Sequence, residues 1–141
     1  MELADIVEVA AKAKIFEMLD IVIDSAEPGR VVLSMPVDER VHQYIGIMNG
    51  GISLLLAESA ASIGAVISSD LTKVAPVGIE INANHLRAVS KGKVFAEANS
   101  IYHGRTLSVW GVEIKDQRGK LICVARCTLA LKKGAAQISK R

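Results

Sequence analysis

The run GGISLLLAESAASIGAVISS, residues 50–69, constrains this chain more than any other feature. Ile52, Leu54, Leu55, Leu56, Ala57, Ala60, Ile63, Val66 and Ile67 fall nearly all round a helix, and a helix that is apolar on every side is buried on most of them. A bilayer would bury it, but a span needs about 20 mostly apolar residues. The best window, Ile45–Ile67, carries Asn49, two glycines and Glu58, so no membrane is expected. The expected surroundings are protein: a sheet on one side and a partner subunit on more.

The remaining pattern supplies that sheet. Leu3, Ile6, Val7, Val9, Ala10 and Ala13 recur near helical spacing and predict a short amphipathic N-terminal helix over residues 1–15. MLDIVIDSAEPGRVVLSMPVD predicts a hairpin about Pro28-Gly29, and residues 37–49 read as loop. From about Pro76 to Lys133 four strands follow, with turns at His103-Gly104 and Asp116–Gly119 and a polar tail over 134–141. The expected class is α+β, a long helix packed on one antiparallel sheet.

With 141 residues, one domain spanning 1–141 is expected. Half the residues are hydrophobic and only 4% aromatic, so aliphatic side chains must fill the core. A mean hydropathy of +0.33 points to apolar surface beyond one core, hence a homo-oligomer. The formal net charge of +2 does not argue for nucleic acid. Met1–Phe16 lacks the apolar core of a signal peptide. Cys123 and Cys127, four apart on one strand, face the same way yet lie too far apart to bridge. Reduced thiols and a cytoplasmic location are expected.

Glu58 is the anomaly in the apolar run, because an ionised carboxylate is costly to bury unless it is paired or used. It reads as a catalytic group or as a structural glutamate paired with a cation. Ser62 shares its face at i+4, whereas Ser59 lies off that face and reads as packing. Gly50-Gly51 stands where the helix begins, with Asn49 as N-cap. The free N–H groups of such a terminus can hold a developing oxyanion, or the glycines simply permit close packing. Glu58 lies eight residues past Gly50, about 12 Å along a helix. If both act on one carbonyl carbon, Glu58 must come from a second subunit.

The segment HQYIGIMNGGISLLLAESAASIGA resembles the G-x-x-H-G-G-x-x-x-x-L-x-E segment of hotdog-fold acyl-CoA thioesterases. It is most similar to the branch holding phenylacetate-pathway, 4-hydroxybenzoyl-CoA and 1,4-dihydroxy-2-naphthoyl-CoA thioesterases. VGIEINANHLRAVSKGKVFAEANSIYHGRTLSVWGVEIKDQRGKLI resembles the same branch further along the chain. The resemblance implies a hotdog fold, a central helix wrapped by a curved antiparallel sheet, paired into dimers or homotetrameric dimers of dimers. It implies Glu58 as nucleophile or general base and the Gly50 N–H as donor to the thioester oxygen. Gln43 would position the nucleophile or water, and Ser62 would supply a hydroxyl near the carboxylate. Asn49 stands where many members have histidine. Its amide can donate to the carbonyl but does not titrate.

Coenzyme A carries phosphates, so cations should line its entry. Arg87, Lys91 and Lys93, with Gly104-Arg105, are the candidates for one rim, Arg105 the preferred phosphate contact; any one lysine taken alone reads rather as solvated surface charge. His42 reads as a loop histidine, and His42, His85 and His103 lack metal-ligand spacing, so no metal is expected. The expected activity is hydrolysis of an aryl- or medium-chain acyl-CoA, the acyl group held near Met48, Leu55 and Ile63. No cofactor is expected beyond the CoA of the substrate. The alternatives are a non-catalytic acyl-CoA-binding protein and a hydroxyacyl-thioester dehydratase.

Overall fold

The structure, a computed structural model, describes residues 1–138. The elements run α1 (Leu3–Ala11), α2 (Lys14–Leu19), β1 (Val22–Glu27), β2 (Arg30–Pro36), a 3-10 turn (Glu39–Val41), α3 (Gly50–Ile67), β3 (Val74–His85), β4 (Lys93–His103), β5 (Leu107–Asp116) and β6 (Leu121–Lys133). Residues 139–141 of the expected polar tail lie outside the described residues.

All strands pair antiparallel in one sheet ordered β1-β2-β4-β5-β6-β3. Alternation puts Val31, Leu33 and Met35 of β2 on the inner face. Val94, Ala96 and Ala98 of β4, and Trp110, Val112 and Ile114 of β5, join them. α3 lies on that face and touches every strand, so the sheet meets the demand of its apolar surface. By length and composition alone α3 could cross a membrane, with a mean hydropathy of 1.6. Here Leu56, Ala57, Ala60, Ala61 and Ala65 are sealed in the core instead. Gly64 admits the Trp110 ring against the helix backbone; a Cβ there would collide with it.

Two N-terminal expectations are corrected. The helix expected over 1–15 is two helices, because Ala13 (φ −58°, ψ 134°) is extended and interrupts the α-helical run. The first hairpin strand starts at Val22, since Met18 and Leu19 belong to α2, which closes on left-handed Asp20 (φ 53°). The Pro28-Gly29 turn is where the sequence puts it, with Gly29 at φ +85° and Glu27 opposite Arg30. Arg40 fastens α2 to the loop after β2. Its guanidinium donates to the Met18 carbonyl (2.8 Å) and to the carboxylates of Asp20 (3.0 Å) and Asp38 (2.9 Å).

β3, the last strand of the order, leaves one edge unpaired and shows Val77 and Ile79 on the surface. It is bulged: Gly78 pairs Leu129 and Glu80 pairs Thr128, so Ile79 is extra.

Candidate active site

The start of α3 is built as a helix terminus should be. Asn49 is the N-cap, its side-chain oxygen accepting the Gly51 N–H at 2.8 Å. Among the described residues, no acceptor meets the Gly50 N–H. Gly50 opens onto a cavity of about 380 Å³ that Gln43, Ser53, His85 and Arg87 also line. Among the described residues, no acidic side chain borders it. Gln43 is drawn in by its own loop: its side-chain oxygen accepts the Ile45 N–H (2.5 Å) and its backbone N–H meets the Ile47 carbonyl (2.8 Å).

Two turns further along, Glu58 and Ser62 line a second cavity, of about 360 Å³. Leu55 and Ile63 form its apolar side, as expected, while Met48 lines the first cavity instead. Ser59 is corrected: it faces this second cavity rather than packing away from it. The two cavities share no lining residue, so one chain holds Gly50 and Glu58 apart, as the helix rise requires.

Two site residues escaped the sequence reading. Gly78 lies under the Glu58 carboxylate, where any Cβ would overlap Oε1. A glycine inside a strand signals a bulge or a close approach, and here it marks both. His85 stands against Gly50, its Nε2 2.8 Å from where a Cβ on that glycine would lie. His85 closes β3 and Arg87 follows just beyond it, and both line the Gly50 cavity.

The other polar groups separate by role. His42 Nε2 meets the Ser90 carbonyl (2.7 Å), so this loop histidine is bonded not locally but to the β3–β4 connection. The Trp110 indole N–H donates to the buried Ser108 hydroxyl (2.8 Å), which in turn reaches His103 Nδ1 (2.8 Å). Among the described residues no three His, Cys, Asp or Glu side chains cluster as a metal site would require. Cys123 and Cys127 are free and buried. Burial, with the charges of Glu58 and Glu80 adding to it, pushes the Cys127 thiol up to about 11.

The expected cationic rim is not assembled within one chain. Arg87 borders the Gly50 cavity, and Lys91 follows it in the exposed β3–β4 connection. Gly104 and Arg105 occupy the β4–β5 turn, which the pairing of His85 with Cys123 and of Leu107 with Ala130 puts at the opposite end of the sheet. The turn is tight, with Tyr102 folded over Gly104.

Comparison with known proteins agrees with this architecture. Residues 45–123 match the Thioesterase superfamily. The chain is 45% identical over 117 residues, 83% of its length and 94% of the relative's, to a 1,4-dihydroxy-2-naphthoyl-CoA hydrolase of Listeria monocytogenes. It is 36% identical over 113 residues to the protein of that name from Escherichia coli, covering 80% and 82% of the two chains. A mutant of thioesterase PA1618 from Pseudomonas aeruginosa superposes with a TM-score of 0.86 at 36% identity, covering 94% of this chain and 95% of that one. A helix start with a free N–H, a carboxylate two turns on and a curved antiparallel sheet thus occur in a chain whose relatives are thioesterases: the protein belongs to the Thioesterase superfamily, as a thioester hydrolase with the hotdog fold.

Proposed function

We propose that the protein hydrolyses aryl- or medium-chain acyl-CoA thioesters to the free acid and CoA. One observation carries this reading: the single carboxylate of an otherwise apolar helix, Glu58, opens with Ser62 onto an apolar cavity. The thioester oxygen accepts the Gly50 N–H, which is pre-aimed and partnerless, and negative charge developing on that oxygen is stabilised there. Glu58 of a second subunit either attacks the carbonyl carbon, expelling the CoA thiolate and leaving a mixed anhydride that water then hydrolyses to the free acid and the Glu58 carboxylate, or takes a proton from a water that attacks the carbon directly and expels the thiolate. Gln43 orients the nucleophile or water, and Ser62 supports the carboxylate. Asn49 keeps its NH₂ group for the thioester, because only its oxygen is used as the helix cap. The chemistry as written calls for no metal or redox cofactor.

A dimer follows from this scheme. β3 offers a long unpaired edge with apolar side chains, the kind of edge that pairs with a second copy. A two-fold axis there runs the two α3 helices antiparallel. It brings Gly50, Arg87 and Lys91 of one chain towards Glu58, Gly104 and Arg105 of the other, completing the oxyanion site and the phosphate rim together. Ile101, Tyr102 and Val124, exposed on strands β4 and β6, suit a dimer of dimers. We place the enzyme in the cytoplasm, where acyl-CoA is found and the free buried thiols stay reduced.

The two relatives named as 1,4-dihydroxy-2-naphthoyl-CoA hydrolases support an aryl acyl group on CoA. Two structures of a Staphylococcus aureus protein carry single alanine replacements, one of a glutamate and one of a glutamine. Those positions lie 15 apart, and 58 − 43 = 15 separates Gln43 from Glu58. The test is thiol release from a panel of acyl-CoA esters, with Glu58→Gln as control. Turnover by wild type and its loss in the variant support the reading; equal thiol release by both contradicts it.

A further inference from the structure

The N-terminal helix pair does more than cover α3. Ala10 at the end of α1, Ala13 at the break and Phe16 of α2 form the wall of the cavity that faces Glu58 and Ser62. We propose that this wall sets acyl-group specificity: Ala10 and Ala13 decide by size which acyl groups reach the Glu58 carboxylate, and the compartment takes uncharged aryl or alkyl groups. The inference rests on the thioesterase reading and assigns the substrate-selecting residues within it.

Three observations carry it. First, among the described residues of one chain the lining is apolar apart from Glu58, Ser59 and Ser62, with no Lys, Arg or His on the side formed by the N-terminal helices. An acyl group with its own terminal carboxylate would meet an apolar wall and a like charge, both unfavourable to its ionised form. Second, the wall is thin where it matters. The extended Ala13 turns the chain, so that two methyl groups and the buried Phe16 ring line the cavity. With about 360 Å³ the cavity falls within the roughly 300–1,000 Å³ of small-molecule sites. Side chains larger than alanine at positions 10 or 13 would occupy that space. Third, the wall is fastened. Arg40 ties the end of α2 through Met18 and Asp20 to Asp38, and the Ile21 N–H returns to the Phe16 carbonyl at 2.9 Å. A wall held this way discriminates size, because it cannot simply swing aside.

The experiment compares kcat/KM for acetyl-, hexanoyl-, benzoyl- and succinyl-CoA in wild type, Ala13→Leu and Ala13→Gly, each checked for its unfolding temperature. Wild type should favour benzoyl- or hexanoyl-CoA over succinyl-CoA. Ala13→Leu, which adds three carbons, should lower the benzoyl-to-acetyl ratio by at least roughly 10- to 200-fold, the scale of a single methylene in an apolar pocket. Should Ala13→Leu fail to fold, Ala13→Gly carries the test, with the ratio shifted towards the larger acyl group. An active wild type whose ratio is unchanged in the folded variants overturns the wall and leaves the thioesterase standing. Succinyl-CoA turned over as fast as benzoyl-CoA overturns the uncharged class. A wild type that releases no thiol from any ester overturns the enzymatic reading and the wall with it.

Discussion

The two cavities beside α3 offer opposite chemistry. The one at the helix start presents donors and a cation, namely the Gly50 N–H, Gln43, His85 and Arg87, with no carboxylate. The one further along presents a carboxylate and hydroxyls, Glu58, Ser59 and Ser62, with no cation among the described residues. The difference follows from the helix itself. Its first N–H groups have no internal acceptor and are available to a ligand, whereas mid-helix groups are all paired and chemistry must come from side chains. On the proposed reading, each chain therefore carries two halves of a hydrolytic site that it cannot bring together, and a two-fold pairing would join each half to the complementary half of a second chain.

The carboxylate half is expected to respond most strongly to substitution. Glu58→Gln keeps shape and hydrogen bonding but removes the nucleophile or base, so kcat should fall by at least roughly 10²-fold. Circular dichroism and CoA binding should be unchanged, and turnover within about tenfold of wild type would remove Glu58 from the mechanism.

A smaller effect tests how that carboxylate is aimed. Gly78→Ala puts a methyl group where Glu58 Oε1 lies, forcing the carboxylate or the β3 bulge to move. A displacement of about 1 Å lowers turnover by about 10²-fold when geometry governs the rate. The matching control is Gly64→Ala, which strikes Trp110 rather than the site. It should destabilise by about 1–3 kcal/mol through overpacking. Loss of stability without loss of kcat for Gly64→Ala, and the converse for Gly78→Ala, would separate packing from positioning.

The smallest effect concerns the strap behind the second cavity. The Arg40 side chain, then its backbone N–H, hold the Asp38 carboxyl below its ordinary 3.8. A lowered carboxyl stabilises the fold above its ordinary range and loses that contribution as pH falls through its folded value. The stability gap between wild type and Arg40→Gln should therefore be present at neutral pH and narrow below about pH 4. Thermal unfolding across pH 2–7 measures it; a constant gap would mean that Asp38 is not the partner that matters.

Much of this was legible because local and global signals agreed. The apolar circumference of residues 50–67, with Asn49 and two glycines before it, fixed the position and burial of α3. A lone carboxylate in that run marked the candidate site, and helix rise alone separated Glu58 from Gly50. The N-terminal break was not legible, since Lys12-Ala13-Lys14 are good helix formers and the interruption answers to packing of Phe16 and to the Arg40 clamp. Ser59 was misread because a cavity spans more of a helix face than the i, i+4 row through Glu58. The rim was drawn too small: Arg87 and Arg105 are 18 residues apart (105 − 87) yet at opposite ends of the sheet, because β4 runs its full length between them.

The central claim, that an active site takes one half from each of two chains, is tested most directly by mixing two inactive variants. Glu58→Gln damages the carboxylate half. Gly50→Pro damages the other half: it removes the oxyanion N–H and puts a Cβ against the His85 ring, while proline suits the first helical position and Asn49 (φ −61°, ψ 130°) already has the extended geometry that a following proline requires. A mixed dimer holds one site with both lesions and one with neither. With equal amounts and complete exchange, half the dimers are mixed, so about a quarter of wild-type activity per chain should return. Activity that stays at the level of the separate variants, with exchange verified by mass, would contradict the shared site and place Gly50 and Glu58 in independent roles.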